Sequence, residues 1–157
     1  MMDDRTFRDT MGKFATGITV VTMKDDTGEI SGMTVNAFMS VSLQPKLIAI
    51  SIGENASLFK QFVKSKQIGI SVLSEEQKNY SMIFSRQKEK DCDIPYIDLA
   101  GAPVIKDALA TISCQITDSF KAGDHTIFIA EVIDLAKREG QPLLYFGGDY
   151  RTINKND

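Results

Sequence analysis

A chain of 157 residues, 43% of them hydrophobic, is long enough for one compact core and too apolar to be disordered throughout, so a single domain over residues 1–157 is expected. Eighteen Lys and Arg against 21 Asp and Glu leave a net charge of −3, which offers no overall positive field to a phosphate backbone or an anionic lipid surface; nucleic acid and membranes are set aside as partners. One histidine, and two cysteines (Cys92 and Cys114) without a C-x-x-C pair, support neither a metal site nor a disulfide framework.

The opening MMDDRTFRDT lacks the basic and then apolar pattern of a secretory signal, and no run approaches the ~18 apolar residues of a membrane span, so a reducing, cytoplasmic setting is expected. Phe7, Met11, Phe14 and Ala15 recur at helical spacing, which predicts a short amphipathic helix over residues 3 to 15 with Asp3 and Asp4 at its positive end. Gly17 breaks the pattern. Ile18 to Met23 is a β-branched strand, ended by the turn signal Lys24-Asp25-Asp26-Thr27-Gly28. A second strand is expected from about Glu29 through Leu43 with Gly32 marking a bend or bulge, and after Pro45 a third runs from Leu47 to Ile52.

Asn55 or Ser57 is expected to cap a helix whose buried stripe is Leu58, Phe59, Phe62 and Val63. Strand Ile68 to Leu73 leads into Ser74-Glu75-Glu76-Gln77, the spacing of a capping box, and then a helix through Tyr80, Ile83 and Phe84. Arg86 to Asp93 is too charged to pack and reads as a solvated loop. From Leu109 the β pattern returns as a long hairpin, Leu109 to Phe120 and Thr126 to Ala136, about the turn Lys121 to Asp124. Pro142 to Phe146 adds a strand before Gly147-Gly148 and a polar tail. About six or seven strands and three short helices, joined mostly by hairpins, describe a mainly β fold with short helices: an antiparallel barrel, closed or split. No strand is followed by G-x-G-x-x-G, in keeping with that choice over a doubly wound parallel sheet.

A single histidine and no G-x-S-x-G elbow give little support to nucleophilic hydrolysis, and no spacing singles out a pair of catalytic carboxylates. What stands out is Ser31 to Ser42, where hydroxyl and amide side chains crowd an otherwise apolar strand. Such groups need partners when buried, so this strand bonds neighbouring loops, shows a polar outer face to solvent, or lines a ligand site. Thr34, Asn36, Phe38 and Ser40 share one face of this strand, an aromatic among three polar side chains that suits a flat heteroaromatic ligand. Ser51, Asn55 and Ser57 form a second polar cluster at a strand end and helix start, where backbone N–H groups hold a phosphate or simply cap the helix.

Three blocks in order then resemble the flavin reductase-like family of flavin-binding split barrels: FRDTMGKFATGITVV from Phe7 to Val21, GMTVNAFMSVSLQPKLIAISI, and GDHTIFIAEV with PLLYFGGDYR. The resemblance covers nearly the whole chain and implies an antiparallel split β-barrel of the FMN-binding type, and an NAD(P)H-dependent flavin reductase that uses FMN or FAD with NADH or NADPH. Residue by residue, it implies that Thr34, Val35, Asn36 and Ala37 contact the isoalloxazine ring with Ser40 close by. It further implies that Ser51 and Ser57 serve the ribityl chain and phosphate, joined by Phe84, Ser85 and Arg86, that Tyr150 and Arg151 close over the site, and that His125 lies near flavin and nicotinamide. Ala37 in place of a frequent serine, Lys46 in place of a proline, and Glu54-Asn55-Ala56 depart from the family pattern, the last putting a carboxylate beside the presumed phosphate.

Hydride transfer between nicotinamide and flavin demands alignment more than an acid or base, so His125 is expected to assist rather than be indispensable. A homodimer and a flavin-dependent monooxygenase are the partners the resemblance implies. Two alternatives compete: a tightly FMN-binding electron-transfer or sensor protein without nicotinamide turnover, and a split-barrel oxidase of a small phosphorylated vitamer. The second is weakened because no cluster of basic residues stands out.

Overall fold

A computed structural model of the chain describes residues 2–154. Helix α1 (Asp4–Met11) is capped by Asp3, whose carboxylate accepts the Thr6 N–H at 2.7 Å, and it closes at Gly12. It is shorter than expected and buries none of its residues; Phe7, Met11 and the following Phe14 are exposed. The apolar stripe is present, yet within one chain nothing covers it.

After β1 (Thr16–Gly17) and β2 (Thr19–Lys24), the expected strand from Glu29 to Leu43 is in fact two, β3 (Ile30–Val35) and β4 (Phe38–Leu43). Both are antiparallel to their neighbours, but β3 pairs with β2 whereas β4 pairs with β5 (Lys46–Gly53). The remaining elements are α2 (Phe59–Lys64), β6 (Gln67–Val72), a 3-10 turn (Glu75–Gln77), α3 (Lys78–Phe84), β7 (Tyr96–Leu99), β8 (Ala102–Ile105), β9 (Ala110–Ala122), β10 (His125–Lys137), β11 (Leu144–Phe146) and β12 (Asp149–Arg151).

Seven strands form one antiparallel sheet in the order β3-β2-β6-β9-β10-β5-β4. Its two edges, β3 and β4, are joined by Asn36 and Ala37 alone, and a trans peptide step spans at most ~3.6 Å per residue. The sheet must therefore curl until its edges stand side by side, and the Ser51 N–H, donating to the Ala37 carbonyl at 3.1 Å, carries the β4–β5 pairing up to the crossover. That is a split barrel. Gly32 is not the bend: a Cβ there would lie 2.9 Å from Thr22 Cγ2 and 3.0 Å from Phe84 Cε1, so it marks close packing.

One apolar cluster fills the barrel, with Val21, Met23, Ile50, Phe62, Ile70 and Phe128 among its members; a second, including Val20, Leu73, Ile105 and Leu143, lies on the other side of β2. Burial on both faces explains why β2 reads as a nearly unbroken apolar run. The second cluster is covered by α3, by a β7–β8 hairpin that the sequence pattern did not reveal, and by a small sheet in which β11 pairs with β1 and β12. The presumed polar tail thus begins as a strand, because Gly147 and Gly148, at φ +61° and +80°, make a tight hairpin rather than an end.

Two local expectations need adjusting. Helix α2 has Leu58 at its N-cap with no side-chain cap, so neither Asn55 nor Ser57 plays that part, and Val63 lies outside the stripe while Phe62 is fully buried. The turn before α3 follows expectation, with the Ser74 N–H donating to Gln77 Oε1 at 3.1 Å, and Arg86 to Asp93 is an open loop in which Cys92 alone is half-buried.

Candidate functional site

The split between β3 and β4 opens onto a cavity of about 740 Å³, within the about 300–1,000 Å³ of small-molecule sites. Asn36, Ala37 and Ser51, three of the residues singled out in the sequence, line it together. Its apolar walls come from Phe38, the aromatic of the strand face that the sequence pattern singled out, and from Phe14, Met39 and Ile127, which the sequence reading had not marked as ligand contacts. Thr16 was missed as well, although its segment belongs to the FRDTMGKFATG block. Its Oγ1 is buried with no partner among the described residues, turned away from the cavity that the rest of the residue helps to line.

The shared face of Thr34, Asn36, Phe38 and Ser40 does not survive the crossover at Asn36-Ala37, which resets the alternation. Thr34 instead turns to α3 and donates its hydroxyl to the Ser81 carbonyl at 2.8 Å. Ser81 Oγ shares a hydrogen bond of 3.0 Å with Tyr150 Oη, and Lys78 Nζ sits 5.1 Å from the centre of the Tyr150 ring. Val35 is buried in the core, its carbonyl accepting the Thr19 hydroxyl; Ser40 is exposed on β4. Phe84 packs towards Gly32, Ser85 Oγ donates to the Met82 carbonyl at 3.2 Å, and Arg86 is exposed at φ +61°. Arg151 lines a separate polar cleft with Glu75, Lys78 and Tyr150. None of these residues lines the cavity; Thr34, Ser81, Phe84 and Tyr150 form a second group that joins α3 to the β3 edge and β12.

A third group gathers where β5 meets β10. His125 is in register with Gly53, and its Nδ1 lies 2.7 Å from Asp124 Oδ1, a contact that lowers the Asp124 carboxyl below its ordinary range. The imidazole is half-exposed and its Nε2 faces Gly53, 3.6 Å from where a Cβ would stand; Asn55 Oδ1 would be 3.0 Å from the same point. Ser57, further along the loop, is exposed.

The carboxylate that seemed out of place beside a phosphate is already engaged. Glu54 accepts Lys121 Nζ at 2.9 Å on one oxygen and the Thr126 hydroxyl at 3.2 Å on the other, and its N–H donates to the Asp124 carbonyl at 3.0 Å. The bond from Lys121 is the main reason the Glu54 carboxyl is held below its usual range. Ser51 links this corner to the cavity, because it lines the cavity wall and lies two residues before Gly53 on β5.

Comparison with known proteins gives the same fold. The flavin reductase like domain matches residues 11–154. The chain is 40% identical over 154 residues to the FMN reductase (NADH) SmoA of Agrobacterium fabrum (strain C58 / ATCC 33970), covering 98% of this chain and 88% of that protein. Among solved structures it is similar to flavin reductase PheA2 in its native state, with a TM-score of 0.95, 52% identity, and coverage of 98% of this chain and 100% of that one. It is also similar to the styrene monooxygenase flavin reductase of Pseudomonas putida S12, with a TM-score of 0.88, 33% identity, and coverage of 94% and 97%.

Proposed function

The chain belongs to the flavin reductase-like family, and on that premise we infer that it is an NAD(P)H-dependent flavin reductase passing a hydride from reduced nicotinamide to FMN or FAD. The observation that carries the reading to this chain's own residues is the cavity at the barrel's split, apolar on its walls and lined also by the polar residues Asn36 and Ser51. A flat ring edged with heteroatoms matches both properties, its faces against the apolar walls and its edge towards Asn36 and Ser51.

Flavin, when bound, supplies the acceptor for the hydride; the protein's work is to hold two flat rings in line and keep water from between them. Phe14, Phe38 and Ile127 provide the dry walls. Asn36 and Ser51 offer polar atoms at the ring edge and the start of the ribityl chain, and Ser57, with the Asn55 and Ser57 N–H groups that donate to no backbone carbonyl among the described residues, receives the phosphate. His125, oriented through Nδ1 by Asp124, presents Nε2 on the open side of that loop, where a nicotinamide would approach. Thr34, Phe84 and Tyr150 act behind the wall by fixing β3 against α3. Val35 and Ala37 contribute backbone around the crossover, while Ser40, Ser85, Arg86 and Arg151 stand apart from the cavity.

We also propose a homodimer. Phe14, Met39, Val41 and Leu43 are exposed, Leu43 at 82%, and β4 is an edge strand with one unpaired side. Two of these, Phe14 and Met39, line the cavity too, so a second copy would complete its outer wall. Leu43→Asp is expected to yield a monomer in light scattering with weakened flavin binding; a stable wild-type monomer with full activity refutes the pairing. An oxygenase that consumes reduced flavin is the proposed acceptor system, as the styrene monooxygenase reductase's name states for that relative. No helix among the described residues is long and apolar enough to cross a membrane. The cytoplasm, where reduced nicotinamide is made, is the proposed setting, and the two free cysteines agree with it.

The deciding experiment follows NADH and NADPH oxidation by the purified protein without flavin, with FMN and with FAD. Rates that rise and saturate with flavin establish the reductase and rank its flavins. A yellow protein inert to both nicotinamides would overturn it in favour of a bound-flavin carrier.

A further inference from the structure

We propose that Glu54 is a positioning residue for the reaction: its carboxylate and N–H clip the Gly53–Ser57 loop to the β9–β10 hairpin, keeping the loop and His125 in one register. This rests on the reading above, in which that loop receives the flavin phosphate and His125 faces the nicotinamide.

Three bonds converge on this one residue from three successive parts of the hairpin. Lys121 precedes the turn, Asp124 lies in it, and Thr126 follows it. Apart from these, the loop is held by two short backbone turns, Ala56 N–H to the Gly53 carbonyl and Phe59 N–H to the Ala56 carbonyl, each at 3.0 Å. The helix it enters has no side-chain cap, and Asn55 and Ser57 are exposed, so neither end of the loop is fixed by its own side chains. Thr126, by contrast, is buried and spends its hydroxyl on Glu54, which gives the clip a rigid anchor.

The charge argument points the same way. A free carboxylate in a phosphate-binding loop would repel its ligand, but Lys121 meets the charge of Glu54 at 2.9 Å and the pair is close to neutral overall. An ion pair this exposed adds little to global stability. Its consequence is local: the side chain of Asn55 and the ring of His125 approach the same point above Gly53, and that juxtaposition depends on which way the loop leaves β5.

The test compares wild type, Glu54→Ala, Glu54→Gln and Lys121→Met. Each is titrated with FMN and with riboflavin, which lacks the phosphate, by flavin fluorescence, and then assayed for NADH oxidation. Glu54→Ala is expected to weaken FMN by about five- to tenfold and lower kcat, with riboflavin nearly unaffected and Tm within about 2 °C of wild type. Glu54→Gln, which keeps an acceptor for Thr126, and Lys121→Met should each show part of that loss.

FMN binding as tight as or tighter than wild type in Glu54→Gln would overturn the proposal in favour of simple charge repulsion. Equal weakening of both flavins with a large fall in Tm would overturn it in favour of a general structural role. Amide hydrogen exchange over Gly53–Ser57 without flavin decides the clip even if wild type fails to turn over, in which case the functional reading falls separately. Faster exchange in Glu54→Ala supports the clip and unchanged exchange refutes it.

Discussion

Gly69 sits in the middle of β6 where β8 crosses it, and Gly69→Ala is the most direct probe of how the outer layer rests on the barrel. A Cβ there would fall well inside contact distance of the Pro103 carbonyl oxygen and 2.9 Å from both the Pro103 carbonyl carbon and Val104 Cγ1. The obstacle is backbone, so no side chain can rotate away. That same carbonyl accepts the hydroxyl of Thr22, a fully buried residue, and pushing β8 outward breaks this bond as well. Overpacking of a tight core costs about 1–3 kcal/mol and a lost buried hydrogen bond about 1 kcal/mol more, so about 3 kcal/mol is expected. For a domain of this size that is a fall in Tm of about 6–12 °C. Thermal and urea unfolding followed by circular dichroism measure it, with Gly17→Ala as control, since nothing lies within 4 Å of a Cβ at Gly17. A Gly69→Ala protein melting within about 2 °C of wild type would refute the argument that β8 is seated on that glycine.

Three further outcomes are expected. Phe62, fully buried with its ring 5.3 Å from that of Phe128, should cost about 3–5 kcal/mol as Phe62→Ala in urea unfolding. His125→Ala should lower kcat/KM for NADH by about tenfold, short of the about 10²–10⁴ of an obligatory acid or base; unchanged turnover and affinities would remove His125 from the site. Burial pushes the Cys114 thiol from 9.0 up to about 12, so iodoacetamide at pH 8 should label half-buried Cys92 and spare Cys114 in the folded protein, as read by mass spectrometry. Because the unfolded chain gives up the Cys114 proton first, this group's contribution to stability is complete below pH 9 and should be lost as the pH rises towards 12.

The barrel was legible where its signals are local. Apolar, β-branched runs between turn signals located β2, β5, β6, β9 and β10 to within a few residues, and Ser74 with Gln77 announced the turn into α3. The β7–β8 hairpin was not, because its strands are only four residues long and follow a charged loop, leaving too few positions for a period to show. A trace of it did exist in the sequence. A glycine inside the apolar run Ile68 to Leu73 indicates another backbone pressing close, and the Pro103 carbonyl is what presses. Gly147-Gly148 likewise carried a two-residue hairpin signal, and reading it as the start of a tail hid β12 and with it the structural setting of Tyr150.

The site was half legible for a reason that lies in the barrel itself. Side-chain parity assigns Thr34, Asn36, Phe38 and Ser40 to one face only while the strand is continuous, and nothing in Asn36-Ala37 resembles a turn. The interruption is imposed from a distance: β3 belongs to β2 and β4 belongs to β5, at opposite ends of a seven-stranded order. Two residues must bridge these edges, so their backbone leaves both ladders and their side chains are free to face the opening. The discontinuity that defeats the parity argument is therefore what creates the cavity. Phe14 and Met39, apolar and exposed in one chain, follow from the same geometry: they stand where the barrel is open, and their surface is covered only by what enters the cavity or by a second copy across its mouth.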